Sequence, residues 1–321
     1  METALHNILE RVRAAAADAT PLRLCGGGSK DFHGLALEGT PLELRPLRGI
    51  ISYEPTELVV TARAGTPLQE LQATLAQAGQ ALAFEPPHFA LGDKQPTVGG
   101  MVATGWSGPA RASSGAVRDF VLGVEIINGR GELLRYGGQV MKNVAGYDVS
   151  RLMAGSWGTL GVITEVSLKV LPVAPAQATL VFAMDEAQAL EALNRWGGQP
   201  LPLNASCWAQ GQLWLRLCGA QAAVQAACQK LGGERLPDDQ AAALWHSLRE
   251  QQHPWFAQRS DADALWRLSL PQTAAPPGPA RGYCRTADRM ARNPALGAGP
   301  AHHGQRHHRS GPGRWGQRHY F

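Results

Sequence analysis

The chain has 321 residues, 44% of them hydrophobic, a length and composition that suit about two globular domains. No run approaches the roughly 18 apolar residues of a transmembrane helix, and the N-terminus lacks the basic start and apolar stretch of a secretory signal. Five scattered cysteines without a Cys-x-x-Cys pair argue against a disulfide framework, a zinc box or an iron–sulfur motif, and favour a reducing, cytoplasmic setting.

The net charge of +4 is unevenly distributed along the chain. Residues 274–321 contain eight arginines and one aspartate, so this segment carries +7 and residues 1–273 carry about −3. Because the basic residues belong to the C-terminal segment, the preceding part of the chain has no electrostatic signature of nucleic-acid binding, and we expect no nucleic-acid partner.

The first elements in chain order are an amphipathic helix and short strands separated by glycine loops. The helix has Leu5, Ile8, Leu9 and Val12 on one face. Strands are predicted at residues 22–25, 49–53 and 58–64. A second helix follows, with Thr66 as its N-cap, Pro67 at the first helical position and Gln69 completing a capping box. Its apolar face consists of Leu68, Leu71 and Leu75, and Gly79 ends it.

The motif Asn128-Gly129-Arg130-Gly131 predicts a hairpin between strands at 123–127 and 132–136. The next strand, at 161–171, alternates in the sequence between apolar and polar residues. One predicted face contains Val162, Thr164, Val166, Leu168 and Val170, and the other contains Glu165, Ser167 and Lys169.

A second pattern of elements follows Pro172. Strands are predicted at 178–184, 203–209, 212–218, 234–236 and 264–270, and helices at 185–196, 221–231 and 238–252. Taken in chain order, the six elements from 178 to 236 follow the order β-α-β-β-α-β of a ferredoxin-like unit. Such a fold is common and does not by itself indicate a chemical activity.

Residues 274–321 differ in composition from the rest of the chain. They include eight Gly, six Pro and five His, and Leu296 is their only Leu, Ile or Val. Such a segment cannot bury enough apolar surface to offset its conformational entropy, which predicts a disordered basic tail. Either the tail is native or the reading frame has shifted near residue 275; we favour the shifted frame, since out-of-frame GC-rich codons yield this mixture.

Three glycine-rich motifs carry the functional information. In the first, Gly26-Gly27-Gly28-Ser29-Lys30 follows a strand, and consecutive glycines let backbone N–H groups converge on an anion such as a pyrophosphate. Its order excludes a Walker A loop and a Rossmann fingerprint.

The second motif, residues 96–108, has four glycines and small hydroxyl residues that suit close contact with a flat or charged ligand. The third runs from Lys142 through Tyr147 and Asp148 into the strand at 161–171. Plain turns and surface loops are the alternative interpretation of each motif.

Together the three motifs resemble the FAD-binding domain of the vanillyl-alcohol-oxidase type, also called the PCMH type. The resemblance implies an α+β chain with a two-subdomain PCMH-type FAD-binding domain at 1–172. A ferredoxin-like cap domain at 173–273, truncated or altered at its C-terminus, and the tail at 274–321 would follow.

In that family the first loop binds the pyrophosphate, the second lines the pyrophosphate and the isoalloxazine, and the third lies by the adenine end. By resemblance, the cofactor-binding residues are Gly26, Gly27, Gly28, Ser29, Lys30, Thr97, Gly99, Gly100, Thr104, Gly105, Gly161 and Val162. Some members attach the flavin covalently through a histidine in the first loop. Ser29 and Lys30 occupy that loop here and His33 lies beyond it, so we expect non-covalent FAD.

Residues 22–34, 51–71, 95–111 and 141–172 also resemble the E-subunit family of bacterial glycolate oxidase. This resemblance implies a complex that oxidises glycolate, a small 2-hydroxy acid, to glyoxylate. Its partners would be a second FAD-binding subunit and an iron–sulfur subunit. The complex would be cytoplasmic, with peripheral attachment to the inner membrane left open.

The sequence assigns no catalytic or metal-binding residue. Oxidation of a 2-hydroxy acid needs a base and a cation for the carboxylate, yet His246 and His253 have no neighbouring His-x-His motif or acidic cluster and suit solvated or capping roles. The histidines at 302–303 and 307–308 lie in the tail. We therefore expect a subunit that binds FAD and relays electrons. The alternatives are an autonomous FAD-dependent 2-hydroxy-acid dehydrogenase of the D-lactate type and a non-catalytic scaffold.

Overall fold

The computed structural model describes residues 2–34, 38–139, 146–258, 263–268 and 295–300. The chain divides into two units, Met1–Ala174 and Pro175–Phe321, and each has its own hydrophobic core. None of the described helices is long and apolar enough to cross a membrane.

In the first unit the elements are, in chain order, α1 (Glu2–Ala17), β1 (Leu22–Cys25), β2 (Thr40–Glu43), β3 (Ile50–Glu54), β4 (Val59–Arg63), α2 (Leu68–Gln77), β5 (Gln80–Ala81), α3 (Val98–Thr104), α4 (Arg111–Ser114), α5 (Val117–Phe120), β6 (Val121–Ile127), β7 (Leu133–Gly137), α6 (Val149–Met153), β8 (Val162–Lys169) and β9 (Leu171–Pro172).

A five-stranded antiparallel sheet in the order β3-β4-β8-β6-β7 forms the centre of the first unit. The predicted apolar face of α2 packs in the main core with sheet residues such as Val166 and Leu168. A second cluster joins Ile8 and Val12 of α1 to Ile127 and Val162, which confirms the buried face of the N-terminal helix. β1 and β2 form a separate parallel pair.

The N-terminus of α2 differs from the prediction. The helix begins at Leu68 with Pro67 at the N-cap, and no side chain caps it. The hydroxyl of Thr66 instead accepts from the N–H of Gly49 at 2.9 Å and donates to the carbonyl oxygen of Gly49 at 3.1 Å. The predicted capping box is therefore wrong, because Thr66 Oγ1 fastens the loop before β3.

The predicted hairpin between β6 and β7 is confirmed, with Asn128 Oδ1 accepting from the N–H groups of Arg130 and Glu132. The predicted alternation along β8 is wrong at its start. Glu165 pairs with Glu125 and Ile163 with Ile126, so Thr164 is an extra residue in a β-bulge. As a result, Ile163 and Val166 both contribute to the main core, whereas Val162 packs in the cluster of α1.

Four charged residues lie in register across the strands β4, β8, β6 and β7, and we call them the charged row. Arg63 pairs with Glu165, Glu165 with Glu125, and Glu125 with Arg135. Glu125 is only 3% exposed and accepts from Arg135 Nε at 2.7 Å and from Thr164 Oγ1 at 2.9 Å. Two adjacent acidic side chains would repel one another, so the flanking arginines are needed to stabilise the row.

In the second unit the elements are β10 (Ala176–Ala183), α7 (Glu186–Gly197), β11 (Leu203–Ala209), β12 (Gln212–Gly219), α8 (Gln221–Leu231), β13 (Glu234–Leu236), α9 (Asp238–Arg249), α10 (Pro254–Ala257), β14 (Asp263–Leu268) and β15 (Ala295–Pro300).

The second unit has an antiparallel sheet in the order β11-β12-β10-β13. With α7 and α8 as its two connections, this order is the ferredoxin-like arrangement predicted from the sequence. Asp185 begins α7 as an N-cap, in a capping box with Gln188. α7 and α8 share one core with the sheet, and Trp245 of α9 packs in another with Ala205 and Cys207.

β14 pairs with β15, which comprises the residues of the predicted tail that the structure describes. The rest of 274–321, including the histidines at 302–303 and 307–308, lies outside the described residues.

Candidate cofactor cleft

The first unit contains a cleft lined by parts of all three glycine-rich motifs. It encloses about 950 Å³ of atom-free space, part of which is open to solvent. The lining residues are Leu24, Gly26, Gly27, Gly28, Ser29, Lys30, Asp31, His33, Leu44, Ala64, Pro96, Thr97, Gly99, Gly100, Ala103, Thr104, Trp157, Gly158, Gly161 and Ile163. Segments that are more than 100 residues apart in the sequence therefore face one cavity.

The first motif leaves β1 and continues along the cleft. A Cβ atom at Gly27 would overlap the backbone carbonyl oxygen of Gln95, so this position has no room for any other residue. Ser29 and Lys30 are buried, and Lys30 Nζ donates to Ser29 Oγ at 3.2 Å. The motif thus combines an exposed backbone path with a buried cation, a pairing that suits an anionic ligand.

The second motif forms the short helix α3 and both of its caps. Thr97 is the N-cap and accepts from the N–H of Gly100 at 3.2 Å, while Thr104 Oγ1 donates to the Gly100 carbonyl oxygen at 2.9 Å. Gly105 is the left-handed C-cap, with φ of 67°, and its missing side chain allows contact with Gly155. Of the predicted residues in this motif, Gly105 does not line the cleft.

The third motif reaches the cleft through Trp157, Gly158 and Gly161. Val162 does not line it, because the β-bulge turns this side chain into the α1 cluster. Asp148 is the N-cap of α6 and Tyr147 is 95% exposed, in agreement with their interpretation as surface-loop residues. Lys142 lies outside the described residues.

Comparison with known proteins identifies the domain and the family. Residues 5–137 match the family described as "FAD binding domain". The chain is 50% identical to "Glycolate oxidase subunit GlcE" of Escherichia coli (strain K12) over 83% of its own length and 73% of that protein. The chain belongs to the GlcE family.

More distant relatives share the fold and about half of this GlcE-family chain. It is 33% identical over 49% of its length to "D-lactate dehydrogenase" of Anaerostipes hadrus, and 31% identical over the same share to "Glycolate oxidase subunit GlcD" of Bacillus subtilis (strain 168). It spans about a third of these two relatives. Among solved structures, an alkyldihydroxyacetonephosphate synthase matches with a TM-score of 0.65 at 15% identity, covering 91% of this chain and 68% of that one. The PCMH-type fold with an FAD-binding domain is thereby confirmed.

The residues of the cleft fit FAD. The ligand has a diphosphate centre and two flat ring systems, and the cleft supplies a glycine-lined backbone path, the buried ammonium of Lys30 and apolar surfaces. A cation close to the path balances the diphosphate charge. The half-exposed carboxylate of Asp31 also lines the cleft, and Lys94, whose Nζ lies 3.7 Å from it, balances its charge in part.

Five ring side chains meet at the cleft in this GlcE-family chain, and we call them the aromatic cluster: Phe32, His33, Phe89, Trp106 and Trp157. His33 stacks on Trp157 with 4.5 Å between ring centroids and contacts the edge of Trp106 at 5.1 Å. Local sequence patterns do not indicate these contacts, because they join positions up to 124 residues apart. The one signal in the sequence that could have indicated these contacts is that each glycine motif has an aromatic residue within it or next to it.

The two histidines of the second unit that the structure describes, His246 and His253, have structural positions. His253 Nδ1 caps α10 by accepting from the N–H of Trp255 at 3.3 Å, and burial lowers the pKa of this imidazole. His246 is exposed in the last turn of α9. Within the described ranges, no group of three or more His, Cys, Asp or Glu side chains is placed to hold a metal ion.

Proposed function

We propose that this chain is the FAD-binding subunit of a multi-subunit glycolate oxidase. The observation that carries the proposal is the single cleft formed by three separate glycine-rich motifs in a member of the GlcE family. Bound FAD would supply an acceptor for the two electrons that leave glycolate when it becomes glyoxylate. The protein's part is to bind the cofactor, orient it and exclude water from it.

The residues proposed to hold FAD divide by position. Gly26, Gly27, Gly28, Ser29 and Lys30 are assigned to the diphosphate. Thr97, Gly99, Gly100 and Thr104 are assigned to the diphosphate and the isoalloxazine. Gly161 is assigned to the adenine end. Gly105 and Val162 do not line the cleft and are proposed to position residues that do. Gly105 fixes the end of α3, and Val162 packs in the α1 cluster next to Gly161.

The proposed attachment is non-covalent. No histidine occupies positions 26–30, although His33 lines the same cleft. Acid precipitation of the purified protein tests this proposal, because a non-covalent flavin enters the supernatant and a covalent one stays with the pellet. Flavin in the pellet of wild-type protein that is absent from the pellet of His33→Ala would identify a covalent bond at His33 and overturn the proposal.

The subunit is proposed to relay electrons while substrate oxidation takes place mainly on a partner flavoprotein. The lining of the cleft contains one imidazole, that of His33. Among the described residues of either unit, no group of three or more His, Cys, Asp or Glu side chains is placed to hold a metal ion. The visible spectrum of the isolated subunit before and after addition of glycolate or D-lactate tests this. Bleaching of the flavin in the isolated subunit would favour the autonomous dehydrogenase, and a colourless, FAD-free protein would favour the scaffold.

The proposed partners are a second FAD-binding subunit and an iron–sulfur subunit, in a cytoplasmic complex that attaches to the inner membrane, if at all, through those partners. GlcD, a second glycolate oxidase subunit, is itself a relative of this chain. Both subunits should co-purify with the tagged chain from cells that express all three. Omitting one subunit at a time would identify the direct contact, because only a subunit that binds the chain directly is still co-purified when the other is absent.

The proposed domain boundaries are 1–172 and 173–273, with 274–321 as an out-of-frame replacement of the end of the second domain. Translation of the adjacent reading frames of the gene tests the last point. An adjacent frame that restores an apolar strand or helix supports it, and frames that contain early stop codons contradict it.

A further inference from the structure

The aromatic cluster is not explained by the binding of a diphosphate. Its ring centroids lie 4.5–6.0 Å apart in a connected set, and two of its members, His33 and Trp157, also line the cleft. Aromatic faces bind other flat π systems at such separations. The cleft therefore presents one part of its lining that is suited to a ring and not to a phosphate.

A second part of the lining is aliphatic and closed. Ala64 and Ile163 are almost fully buried in the main core, and Leu24 and Leu44 pack with the α1 cluster. FAD has two ring systems, adenine and isoalloxazine, so the two kinds of lining can be matched to the two rings.

Solvent access distinguishes the two parts. Among the residues that line the cleft, Trp157 is 38% exposed and His33 is half-buried, whereas Ala64 and Ile163 are 2% and 4% exposed and Leu24 and Leu44 are half-buried. A flavin ring must be reached by a substrate or by an electron acceptor, but an adenine ring takes no part in the reaction and needs no access. The open, aromatic part of the cleft suits isoalloxazine, and the closed, aliphatic part suits adenine.

The backbone supports a ligand-related role for the cluster. Trp157 has φ of 53° and Phe89 has φ of 48°, a left-handed conformation that is rare for bulky side chains. Such strained residues persist where the surrounding structure holds them, and they concentrate at ligand sites. The conformation directs both rings into the cluster.

We propose that His33 and Trp157 form an aromatic wall for the isoalloxazine ring of FAD, while the aliphatic lining takes the adenine. This rests on the proposed function, that the cleft binds FAD. It assigns to the flavin His33, which no glycine motif includes, and Trp157, the aromatic residue of the third motif.

The test compares the whole cofactor with its adenine half. We would replace Trp157 by Asn, because asparagine tolerates a left-handed backbone and has no ring. Binding of FAD and of ADP to the flavin-free full-length chain would be measured by calorimetry. Loss of one stacking contact should raise the Kd of FAD by roughly 3- to 10-fold. The Kd of ADP should stay within about twofold of wild type, and fluorescence of the bound flavin should rise.

A pair of substitutions at His33 keeps the test independent of folding at position 157. His33→Ala should weaken FAD binding in the same way, and His33→Phe should retain near wild-type affinity because it keeps a ring in the wall. Trp255→Asn, a partly exposed tryptophan of α10 outside the cleft, is the matched control and should change neither affinity.

Three outcomes are decisive. Equal weakening of FAD and ADP would overturn the proposal, because the wall would then contact the adenine half. Unchanged FAD affinity in both His33→Ala and Trp157→Asn would overturn it as well. A wild-type chain that folds and binds neither ligand would instead refute the proposed function.

Discussion

The two units of the chain differ in how much backbone and sheet surface their helices and side chains cover. In the first unit, the glycine motifs leave backbone facing an open cleft, and side chains such as Trp157 stand at its edge. In the second unit, the sheet packs against helices on both faces, with Leu215 in one core and Trp245 in the other. The difference supports the proposal that the cofactor binds in the first unit, and it leads us to expect that the described core residues of the second unit contribute mainly to the stability of that unit.

The largest expected effect tests the open backbone of the first unit. Gly27→Ala places a Cβ atom on the Gln95 carbonyl oxygen, so the loop must move away from Gln95 and its backbone path along the cleft must change. We expect FAD affinity to fall by at least about tenfold, or about 1.4 kcal/mol. Flavin content per purified chain, measured by absorbance, checks this.

Gly129→Ala is the matched control, because a Cβ atom at this hairpin position meets no atom within 4 Å. Its flavin content should equal that of wild type. Full flavin content in Gly27→Ala would show that the first motif does not contact the cofactor.

The next effect tests the packed second unit. Trp245 is buried, donates from Nε1 to Thr179 Oγ1 at 2.9 Å, and lies beneath the guanidinium of Arg216 at 4.8 Å. Trp245→Ala should lower the free energy of unfolding by about 3–5 kcal/mol, through lost burial and a cavity. Denaturant titration with tryptophan fluorescence measures the loss.

Flavin content separates the two units in this experiment. Where Trp245→Ala is still folded, it should bind FAD as tightly as wild type. Trp245→Phe should lose less stability, since it keeps a ring and gives up the hydrogen bond to Thr179. A parallel loss of flavin and of stability across the two variants would contradict the division of roles.

The smallest effect concerns the charged row of the first unit. Burial, and then the neighbouring Glu125, raise the pKa of Glu165 above its ordinary value of 4.5, although Arg63 and Arg135 oppose the shift. The folded chain therefore holds this proton to higher pH than the unfolded chain does. Stability from this group is complete below about pH 4.5 and is lost as pH rises through the raised pKa.

Glu165→Gln removes this titration and should flatten the fall in unfolding free energy between about pH 4.5 and 7. Denaturant titrations of the variant and wild type at both pH values measure the difference. Glu57→Gln, at an exposed position, is the control. A difference between Glu165→Gln and wild type that is the same at both pH values would contradict the assigned pKa direction.

Local patterns in the sequence predicted much of this fold. The hairpin at Asn128 and the apolar face of α2 depend on residues close together in the chain, and both are confirmed. The ferredoxin-like order follows from the succession of elements. The three glycine motifs led to one cavity through their joint resemblance to an FAD-binding domain.

Features that depend on distant partners were not predictable in the same way. The bulge at Thr164 depends on how β8 pairs with β6, and an alternating sequence alone predicts a regular strand. Thr66 could cap a helix or fasten a loop, and the position of Gly49 decides between them. The contact of His33 with Trp157 depends on the closed cleft itself.

The bulge at Thr164 also links the folding of the two ends of the first unit. One continuous strand contributes Val162 to the α1 cluster and Ile163 to the main core, so we expect unfolding of one core to perturb the other. The N-terminal helix does not line the cleft, yet its removal would uncover Val162 and loosen the start of β8 beside Gly161. Cofactor retention should therefore serve as a sensitive reporter of cooperativity between the N-terminal helix and the rest of the unit.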